Sequence, residues 1–377
     1  MRARKIEKPK YEIVGELKRF NEADHAMARA EMIPDSPRWQ EYYKKHPELE
    51  AQGRAWAALP GPAQLPPADQ LMRTAMFGTI GLMSRDEDMT GEPAVEKIVL
   101  TPERAAAKIK GFARHLGAEQ VGIGPLNQAW VYSHVGRARY SGKIIGPEIN
   151  LPHSSAVVVG IHLKRHLIHC APEIASVLEV IKTYVRLATI AVTLARYIRS
   201  LGYPARAHDV SNYQVLLVPI AIDAGLGEQG RNGVLINARY GNAIKLAAVT
   251  TDMPLAHDKP VDIGVEEFCR ECRICGEYCP AGAIPIKQGK REVRGVRKWK
   301  INDAACYRYF RKVGTDCGIC MAVCPWSRAR PLPRDAALRK GERSDFIRNK
   351  CPTWLEEPSK AWEADLRPGH PFRRSSR

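Results

Sequence analysis

Eight cysteines in the last third of the chain constrain this sequence more than any other feature. Cys269, Cys272, Cys275 and Cys279, followed by Pro280, have the spacing found in bacterial two-cluster ferredoxins. In that pattern, three thiolates bind one [4Fe-4S] cluster and the fourth binds a second cluster. The sequence therefore predicts two neighbouring iron-sulfur clusters that share their ligands across two cysteine groups.

The second group has only three closely spaced cysteines, Cys317, Cys320 and Cys324, followed by Pro325. Cys306, upstream of this group, supplies the fourth thiolate. Crossing the last cysteine of each group gives two complete sets of four ligands. The first cluster is assigned Cys269, Cys272, Cys275 and Cys324, and the second cluster is assigned Cys279, Cys306, Cys317 and Cys320.

Other cysteine chemistries fit these spacings less well. Zinc sites usually combine a pair of cysteines with two distant ligands and give no reason for a doubled Cys-Pro signature. Disulfides require an oxidising compartment. The two remaining cysteines, Cys170 and Cys351, are interpreted as inert buried thiols. The histidines before Cys170, which are His162, His166 and His169, are interpreted as a surface cluster in preference to a metal site.

The net charge of +17 makes an anionic partner such as RNA a candidate. Each cluster with its four thiolates carries about −2, which offsets part of this charge. Much of the remaining basicity lies in Arg328 to Arg348 and Arg373 to Arg377. A solvated basic tail and an anionic partner both remain open.

The N-terminal residues mix Lys, Arg and Glu with isolated apolar residues and lack the apolar stretch of a secretory signal. No apolar run approaches the roughly 20 residues of a transmembrane helix. A cytoplasmic location is therefore expected. A leader that had been removed would leave no trace, so an exported or membrane-associated protein is the alternative.

The hydrophobic pattern predicts four regions. Residues 1–100 are expected to be short helices and coil wrapped over a core, and residues 101–260 to be an α+β core of the α/β sandwich type. Residues 261–330 are expected to form a ferredoxin-like two-cluster domain. Residues 331–377 are expected to be a basic tail.

Within the core, a helix is predicted from Thr101 to Leu116, where Gly117 ends it. Strands are predicted at 120–123, 129–132 and 156–163. The longest helix is predicted from Pro172, in its first turn, to Leu201. Its apolar stripe repeats at helical spacing, and Tyr184 lies beside that stripe.

Gly225, Gly227 and Gly230 match the spacing of a dinucleotide-binding fingerprint, but their context does not fit one. A Rossmann turn leads into an apolar helix and has an acidic residue about twenty positions later. Here a strand-like run follows, and Lys245 occupies that position. The glycines are instead expected to allow a close approach of the backbone to another large ligand.

Several segments together resemble the catalytic subunits of reductive dehalogenases. One is the cysteine pattern with its flanking Phe268 and Trp326. Another is the segment Val14 to Phe20, which resembles the start of the mature chains of these dehalogenases. Further similar runs are Tyr197 to Tyr203, Val218 to Glu228 with Gly230 and Arg231, and Thr251 to Leu255.

The resemblance implies a nitroreductase-like core that binds cobalamin in its base-off form, and two [4Fe-4S] clusters that deliver electrons one at a time. The sequence has no Asp-x-His-x-x-Gly motif to supply a lower histidine ligand to the cobalt. The family lacks this motif as well. Without an export leader, the chain resembles the cytoplasmic, catabolic members.

The resemblance also implies roles for individual residues. Tyr184 is the expected proton donor, Lys245 the cation beside it and Asn212 a polar contact near the substrate. Lys245 stands where some members carry a catalytic Arg. A neighbouring ammonium stabilises a phenolate and so makes the hydroxyl a better proton donor. The residues expected to contact cobalamin are Gly225, Gly227, Arg231 and Asn232.

The expected activity is removal of halide from an organohalide, with a ferredoxin or flavodoxin as electron donor, no stable nucleic-acid partner and a possible homodimer. One alternative is an enzyme resembling epoxyqueuosine reductase, which acts on transfer RNA. Members of that family carry a segment that resembles Val-Asp-Ser-Ala-Pro, in which the Asp is the catalytic acid. At this place the present chain has Val210, Ser211 and Asn212, so the acid is missing. A non-catalytic electron-transfer or corrinoid-carrying protein is the other alternative.

Overall fold

A computed structural model describes residues 3–137 and 144–327 of the chain. The predicted basic tail and Cys351 lie outside the described residues. The helices are α1 (Ala26–Ala30), α2 (Pro37–Lys45), α3 (Glu50–Ala57), α4 (Pro67–Met83), α5 (Asp86–Met89), α6 (Pro102–His115), α7 (Arg165–Ile168), α8 (Ile174–Ser200), α9 (Leu217–Asp223), α10 (Val265–Cys272), α11 (Ile274–Glu277), α12 (Asp303–Val313) and α13 (Ile319–Ala322). The strands are β1 (Arg4–Lys5), β2 (Glu12–Ile13), β3 (Gln120–Pro125), β4 (Ser155–His162), β5 (Ala205–His208), β6 (Glu228–Gln229), β7 (Leu235–Ile236), β8 (Ile244–Thr251), β9 (Val261–Asp262), β10 (Arg291–Val293) and β11 (Val296–Lys298).

An antiparallel sheet of four strands, in the order β3-β4-β8-β5, forms the centre of the core. Both of its faces are covered, which is why β4 is almost continuously apolar. Val157 and Val159 pack with the α6 and α8 side, whereas Ala156 and Val158 pack with the α9 side. The predicted mixed helix and sheet sandwich is confirmed.

The helix α8 spans one face of the sheet and is the longest of the described helices. It begins at Ile174, so the prediction that Pro172 lies in its first turn is wrong. Pro172 precedes the helix and Glu173 is the N-cap residue. An apolar pattern alone does not show where helical dihedrals start, because the residues before a helix can be buried as well.

The helix α6 begins after Thr101, whose hydroxyl accepts a hydrogen bond from the backbone of Arg104, as predicted. It ends before Gly117, which has a φ of +99°. The predicted strand over 129–132 is wrong, because Gln128–Trp130 forms a single 3-10 turn. This turn still buries Trp130, and burial produced the strand-like pattern.

The N-terminal hundred residues contain short helices and coil, as predicted, and one longer helix, α4, that packs along α8. The first two strands pair with strands that lie much later in the sequence. Strand β1 pairs with β9, and β2 joins the β10-β11 hairpin. The N-terminal segment therefore reaches the cysteine-rich region.

Four helices and the β10-β11 hairpin make up this cysteine-rich region, which follows β9. Phe268 and Trp326, which flank the cysteine groups in sequence, have ring centres 5.6 Å apart in an edge-to-face contact. None of the described helices combines the length and apolar character that crossing a bilayer would require.

Candidate active site

The eight cysteines of the two sequence groups come together in space. Electrostatic neighbours of Cys275 include Cys269, Cys272 and Cys324, while those of Cys317 are Cys320, Cys306 and Cys279. These neighbourhoods are compatible with the crossed assignment, which stays a prediction. Cys275 and Cys324 also interact with Cys320, so the two sets of thiols adjoin each other.

The thiols are held in an environment that suits a metal cluster better than free thiolates. Burial raises the pKa of Cys269 to about 11 and the pKa of Cys320 to about 12, and neighbouring sulfurs add to both shifts. A cluster replaces the protons with iron and removes the repulsion between the sulfurs. Cys317 has a φ of +52°, in the left-handed region that a non-glycine residue adopts only when its surroundings require it.

Tyr184 and Lys245 lie side by side between α8 and the sheet. The Nζ atom of Lys245 lies 5.5 Å from the centre of the Tyr184 ring. Burial lowers the pKa of the Lys245 ammonium, but its interactions with Tyr184 and with the charge of Asp316 outweigh this effect, so the pKa is raised. The lysine is therefore a cation beside the hydroxyl.

Strand alternation explains how the two residues meet. In β8, Ala247 and Val249 point to the α8 face, and Lys245 precedes them by an even number of residues. Lys245 pairs with Ile161 of β4, which points to the same face. Tyr184 projects from α8 toward this end of β8.

The site adjoins the second set of cysteines. Tyr184 and Cys320 pack against the same apolar cluster, which contains Met321 and Ala322 from α13. Cys320 is also an electrostatic neighbour of Lys245. The expected proton donor therefore lies next to the expected second cluster.

Sequence reasoning missed two charged residues at this site. Asp316, next to Cys317 in the cysteine-rich region, interacts with both Lys245 and Arg73 of α4. The Nε atom of Arg73 is buried without a partner among the described residues. Asp316 could have been found from the sequence, because it is a charged residue directly before the predicted ligand Cys317. No sequence motif marks Arg73.

Asn212, the third residue with an expected catalytic role, is held in a hydrogen-bond network. Its Oδ1 atom accepts from Arg206 at 2.8 Å, and its Nδ2 atom donates to the Ser84 carbonyl at 2.9 Å. Its backbone amide donates to Asp209 at 2.8 Å. The described contacts of Asn212 connect the β5 loop to the segment after α4, and its contact with substrate stays a prediction.

The glycines of the fingerprint-like segment are needed for backbone packing. A Cβ atom on Gly225, which has a φ of +74°, would lie 2.4 Å from the Lys259 carbonyl oxygen. A Cβ atom on Gly227 would lie 2.1 Å from the Ile236 carbonyl oxygen. This packing already explains why both positions require glycine, and their contact with cobalamin stays a prediction.

Arg231 connects the core to the first cysteine group. Its guanidinium donates to the carbonyl oxygens of Cys269 at 2.9 Å, Pro285 at 3.0 Å and Arg270 at 3.2 Å. It also stacks on Trp299 at 4.8 Å. Arg231 therefore fixes the backbone of the first expected cluster ligand.

Comparisons with known proteins identify the relatives of this chain. Residues 268–328 match the family described as a 4Fe-4S dicluster domain. A tetrachloroethene reductive dehalogenase of Desulfitobacterium hafniense is 31% identical over 278 residues, covering 62% of this chain and 50% of the relative. A solved reductive dehalogenase, described as suggesting a mechanism for B12-dependent dehalogenation, superposes with a TM-score of 0.68 at 27% identity, covering 92% of this chain and 48% of that one. The chain is related to the reductive dehalogenases.

A catabolic reductive dehalogenase solved with 3-bromo-4-hydroxybenzoic acid gives the same TM-score of 0.68 at 26% identity, with coverage of 92% and 48%. The chain thus spans about half the length of the relatives that it matches. The epoxyqueuosine reductase of Lactococcus garvieae strain Lg2 is more distant, since its match, at 30% identity, covers 29% of the chain. The likeness supports two [4Fe-4S] clusters and a cobalamin as cofactors.

Three buried donors in or near the cysteine-rich region would be available to a cobalamin. The Nδ2 atoms of Asn232 and Asn242 and the Nε1 atom of Trp326 have no hydrogen-bond partner among the described residues. Trp326 packs with Ile236 and Cys324, and Asn242 is hydrogen-bonded through its other side-chain atom to Ser327. A corrinoid carries amide oxygens around its rim that would accept from such donors.

Proposed function

We propose that this chain carries the catalytic unit of a reductive dehalogenase. In this reaction, an organohalide, two electrons and one proton yield the dehalogenated product and a halide ion. The two clusters supply the electrons singly. When bound, cobalamin supplies a low-valent cobalt that can reduce the carbon-halogen bond.

The observation that supports the proposal is the contact of Tyr184 with Lys245, next to Cys320 of the second cysteine set. Breaking the carbon-halogen bond reductively leaves negative charge on carbon, which a positioned acid must neutralise. Tyr184 offers a hydroxyl, and the Lys245 ammonium lies 5.5 Å from its ring centre. An acid is thus held where electrons would arrive.

Lys245 would act through the hydroxyl. After the proton leaves, the tyrosine oxygen bears a negative charge, and an adjacent ammonium stabilises that charge. Asp316 lies close enough to Lys245 to interact with its charge and would help to hold the ammonium in place. Asn232, Asn242 and Trp326 would hold the rim of the corrinoid.

The test is an anaerobic assay of the chain reconstituted with iron, sulfide and cobalamin. Titanium(III) citrate serves as reductant and 3-bromo-4-hydroxybenzoic acid as substrate, and released bromide is measured. The expected result is catalytic bromide release that requires cobalamin and is lost in Tyr184→Phe. Cobalamin binding without bromide release from a panel of aryl and alkyl halides would contradict the proposal.

The same preparation separates the alternatives. Turnover of an epoxyqueuosine-containing RNA stem-loop without dehalogenation would assign the chain to tRNA modification. Reversible reduction of clusters and corrinoid without turnover of either substrate would indicate an electron-transfer or corrinoid-carrying protein. The proposal also includes a low-potential electron donor such as a ferredoxin or flavodoxin. It further includes a cytoplasmic location, which cell fractionation tests, and a homodimer, which sedimentation tests.

A further inference from the structure

A basic hairpin lies between the two cysteine groups. The segment from Lys287 to Lys300, which contains β10 and β11, has seven Lys or Arg residues and one acidic residue, Glu292. This segment is a second basic region besides the C-terminal tail. Its basic residues are Lys287, Lys290, Arg291, Arg294, Arg297, Lys298 and Lys300.

Most of these cations have no acidic partner within the part of the chain that the structure describes. Lys290 pairs with Glu266 at 2.6 Å and Arg297 with Glu12 at 3.5 Å. The other five form no ion pair with a described residue, although the charges of Asp24 and Asp303 act on Arg294. Lys287, Arg291 and Lys300 are exposed. The hairpin is therefore a surface whose positive charge is mostly not neutralised within the described chain.

Lys298 shows that this charge is concentrated. Burial lowers the pKa of Lys298, and the charges of Arg294 and Lys300 lower it further. An acidic group that faced Lys298 would act in the opposite direction, and none contributes. Crowding like charges costs free energy unless an anion binds to them.

A cleft lies beside the hairpin. It spans about 420 Å³, including space open to solvent, and is lined by Lys10, Lys290, Arg297, Lys298 and Trp299, together with the carboxylates of Glu228 and Glu266. Trp299 is 7% exposed and packs in one apolar cluster with Cys269 and Cys324. A molecule bound over this cleft would touch Trp299, which packs with two ligands of the expected first cluster.

We propose that the basic hairpin and its cleft form the docking site for a small acidic electron-carrier protein that reduces the first cluster. The inference deepens the proposed function, because it gives the entry point of the electrons that dehalogenation consumes. One electron passes from the reduced carrier to the oxidised cluster, and no bond is formed or broken. The opposite, Cys320 side of the pair of cluster sites faces Tyr184 and Lys245.

Position favours an electron carrier over a nucleic acid. A basic surface attracts either class of macromolecule through its charge. Trp299, at the end of the hairpin, however, packs with Cys269 and Cys324 of the first cysteine set, whereas the Tyr184 site adjoins Cys320 of the second set. An electron donor gains from the first position, but a nucleic-acid substrate would have to reach the Tyr184 site.

The test is stopped-flow reduction of the clusters by a recombinant acidic [2Fe-2S] ferredoxin that has been reduced beforehand. The chain carries both clusters, and neither cobalamin nor organohalide is needed, so failure of this test is distinct from failure of the proposed function. Arg291→Glu with Lys300→Glu should lower the second-order rate constant at least about tenfold at low salt. The difference should shrink as ionic strength rises.

The matched control places the same charge change on α6, as Arg104→Glu with Lys108→Glu. Both residues are exposed and lie outside the cysteine-rich region. This control should keep the rate constant of the unmodified chain within about twofold, and the hairpin variant should keep its cluster midpoint potentials. Equal rate constants in the hairpin and control variants, or changed potentials that account for the loss, would overturn the proposal. So would a hairpin variant that loses affinity for a stem-loop RNA while the ferredoxin rate is unchanged.

Discussion

Lys245 places its ammonium 5.5 Å from the centre of the Tyr184 ring, although the two residues are on different elements and far apart in sequence. The contact depends on the even spacing along β8 and on the packing of α8 across the sheet. Both features belong to the sandwich itself. The acid and its cation are therefore positioned by rigid elements and not by a loop, which favours a well-defined geometry.

Tyr184→Phe should reduce kcat at least about a hundredfold, because a positioned general acid contributes roughly 10² to 10⁴ in rate. Only the hydroxyl is removed, so iron content and bound cobalamin should stay unchanged. The control is Tyr197→Phe on the same helix, whose ring packs against Phe112 at 5.1 Å. Near-normal single-turnover rates in the Tyr184 variant would make Tyr184 a core residue.

Lys245→Met should also lower kcat, because the negative charge left on the tyrosine oxygen loses its neighbouring ammonium. Combined with Tyr184→Phe, it should add much less than its separate effect, since both changes act on one proton transfer. The measurement is a double-mutant cycle on kcat. Losses that multiply in the double variant would show that the two residues act independently.

Crossed cluster ligation predicts an unusual pattern of iron loss. Cys279→Ala and Cys317→Ala affect the same cluster in the crossed arrangement, so the double variant should keep about four iron atoms per chain, from about eight in the full protein. Cys279→Ala with Cys269→Ala affects both clusters and should leave almost no [4Fe-4S] iron. The reverse pattern in iron and sulfide analysis would support uncrossed ligation.

Asn212→Ala should lower the free energy of unfolding by about 1–3 kcal/mol, because it removes an acceptor from Arg206 and leaves the Ser84 carbonyl without its donor. The control is Ser211→Ala, whose hydroxyl has no partner among the described residues. That change should be close to neutral. Thermal unfolding of the anaerobic holoprotein measures both, and a neutral Asn212→Ala would show that the network is not structural.

His25 should make stability depend on pH. Its Nδ1 atom caps α1 by accepting from Met27 at 3.1 Å, and burial, with help from Arg137, lowers its pKa to about 4. The unfolded chain, with a histidine pKa near 6.5, binds more protons between these values, so stability falls as the pH drops from about 6.5 to 4. His25→Asn keeps an acceptor that does not titrate and should lose less thermal stability between pH 7 and pH 5. His115→Asn, at an exposed position of α6, should behave like the unmodified chain, and equal losses in all three proteins would contradict the prediction.

The elements predicted well from sequence were those with a local signal. Thr101 and Gly117 mark the ends of α6, because a cap hydroxyl and a positive φ are properties of single residues. The cysteine spacing identified the dicluster segment for the same reason. The turn over Gln128–Trp130 was misread because a buried Trp produces the same pattern in a strand and in a turn.

The candidate site was predicted only through family resemblance. Nothing in the sequence positions of Tyr184 and Lys245 shows that α8 crosses β8 where these two residues meet. Asp316 and Arg73 were missed because Asp316, in the cysteine-rich region, interacts with both Lys245 of β8 and Arg73 of α4, and these parts of the chain share no motif. Gly225 and Gly227 had a clear signal, and backbone packing already accounts for it.

The pairing of β1 with β9 and of β2 with β11 limits the order in which parts of the fold can form during synthesis. Strands β1 and β2 can pair only after residues 261–262 and 296–298 have been synthesised. Arg231 must likewise wait for the carbonyl oxygens of Cys269, Arg270 and Pro285. Cluster assembly would therefore be a late event on the nascent protein, and cutting the chain before β9 would leave the N-terminal strands without their partners as well as removing the cysteines.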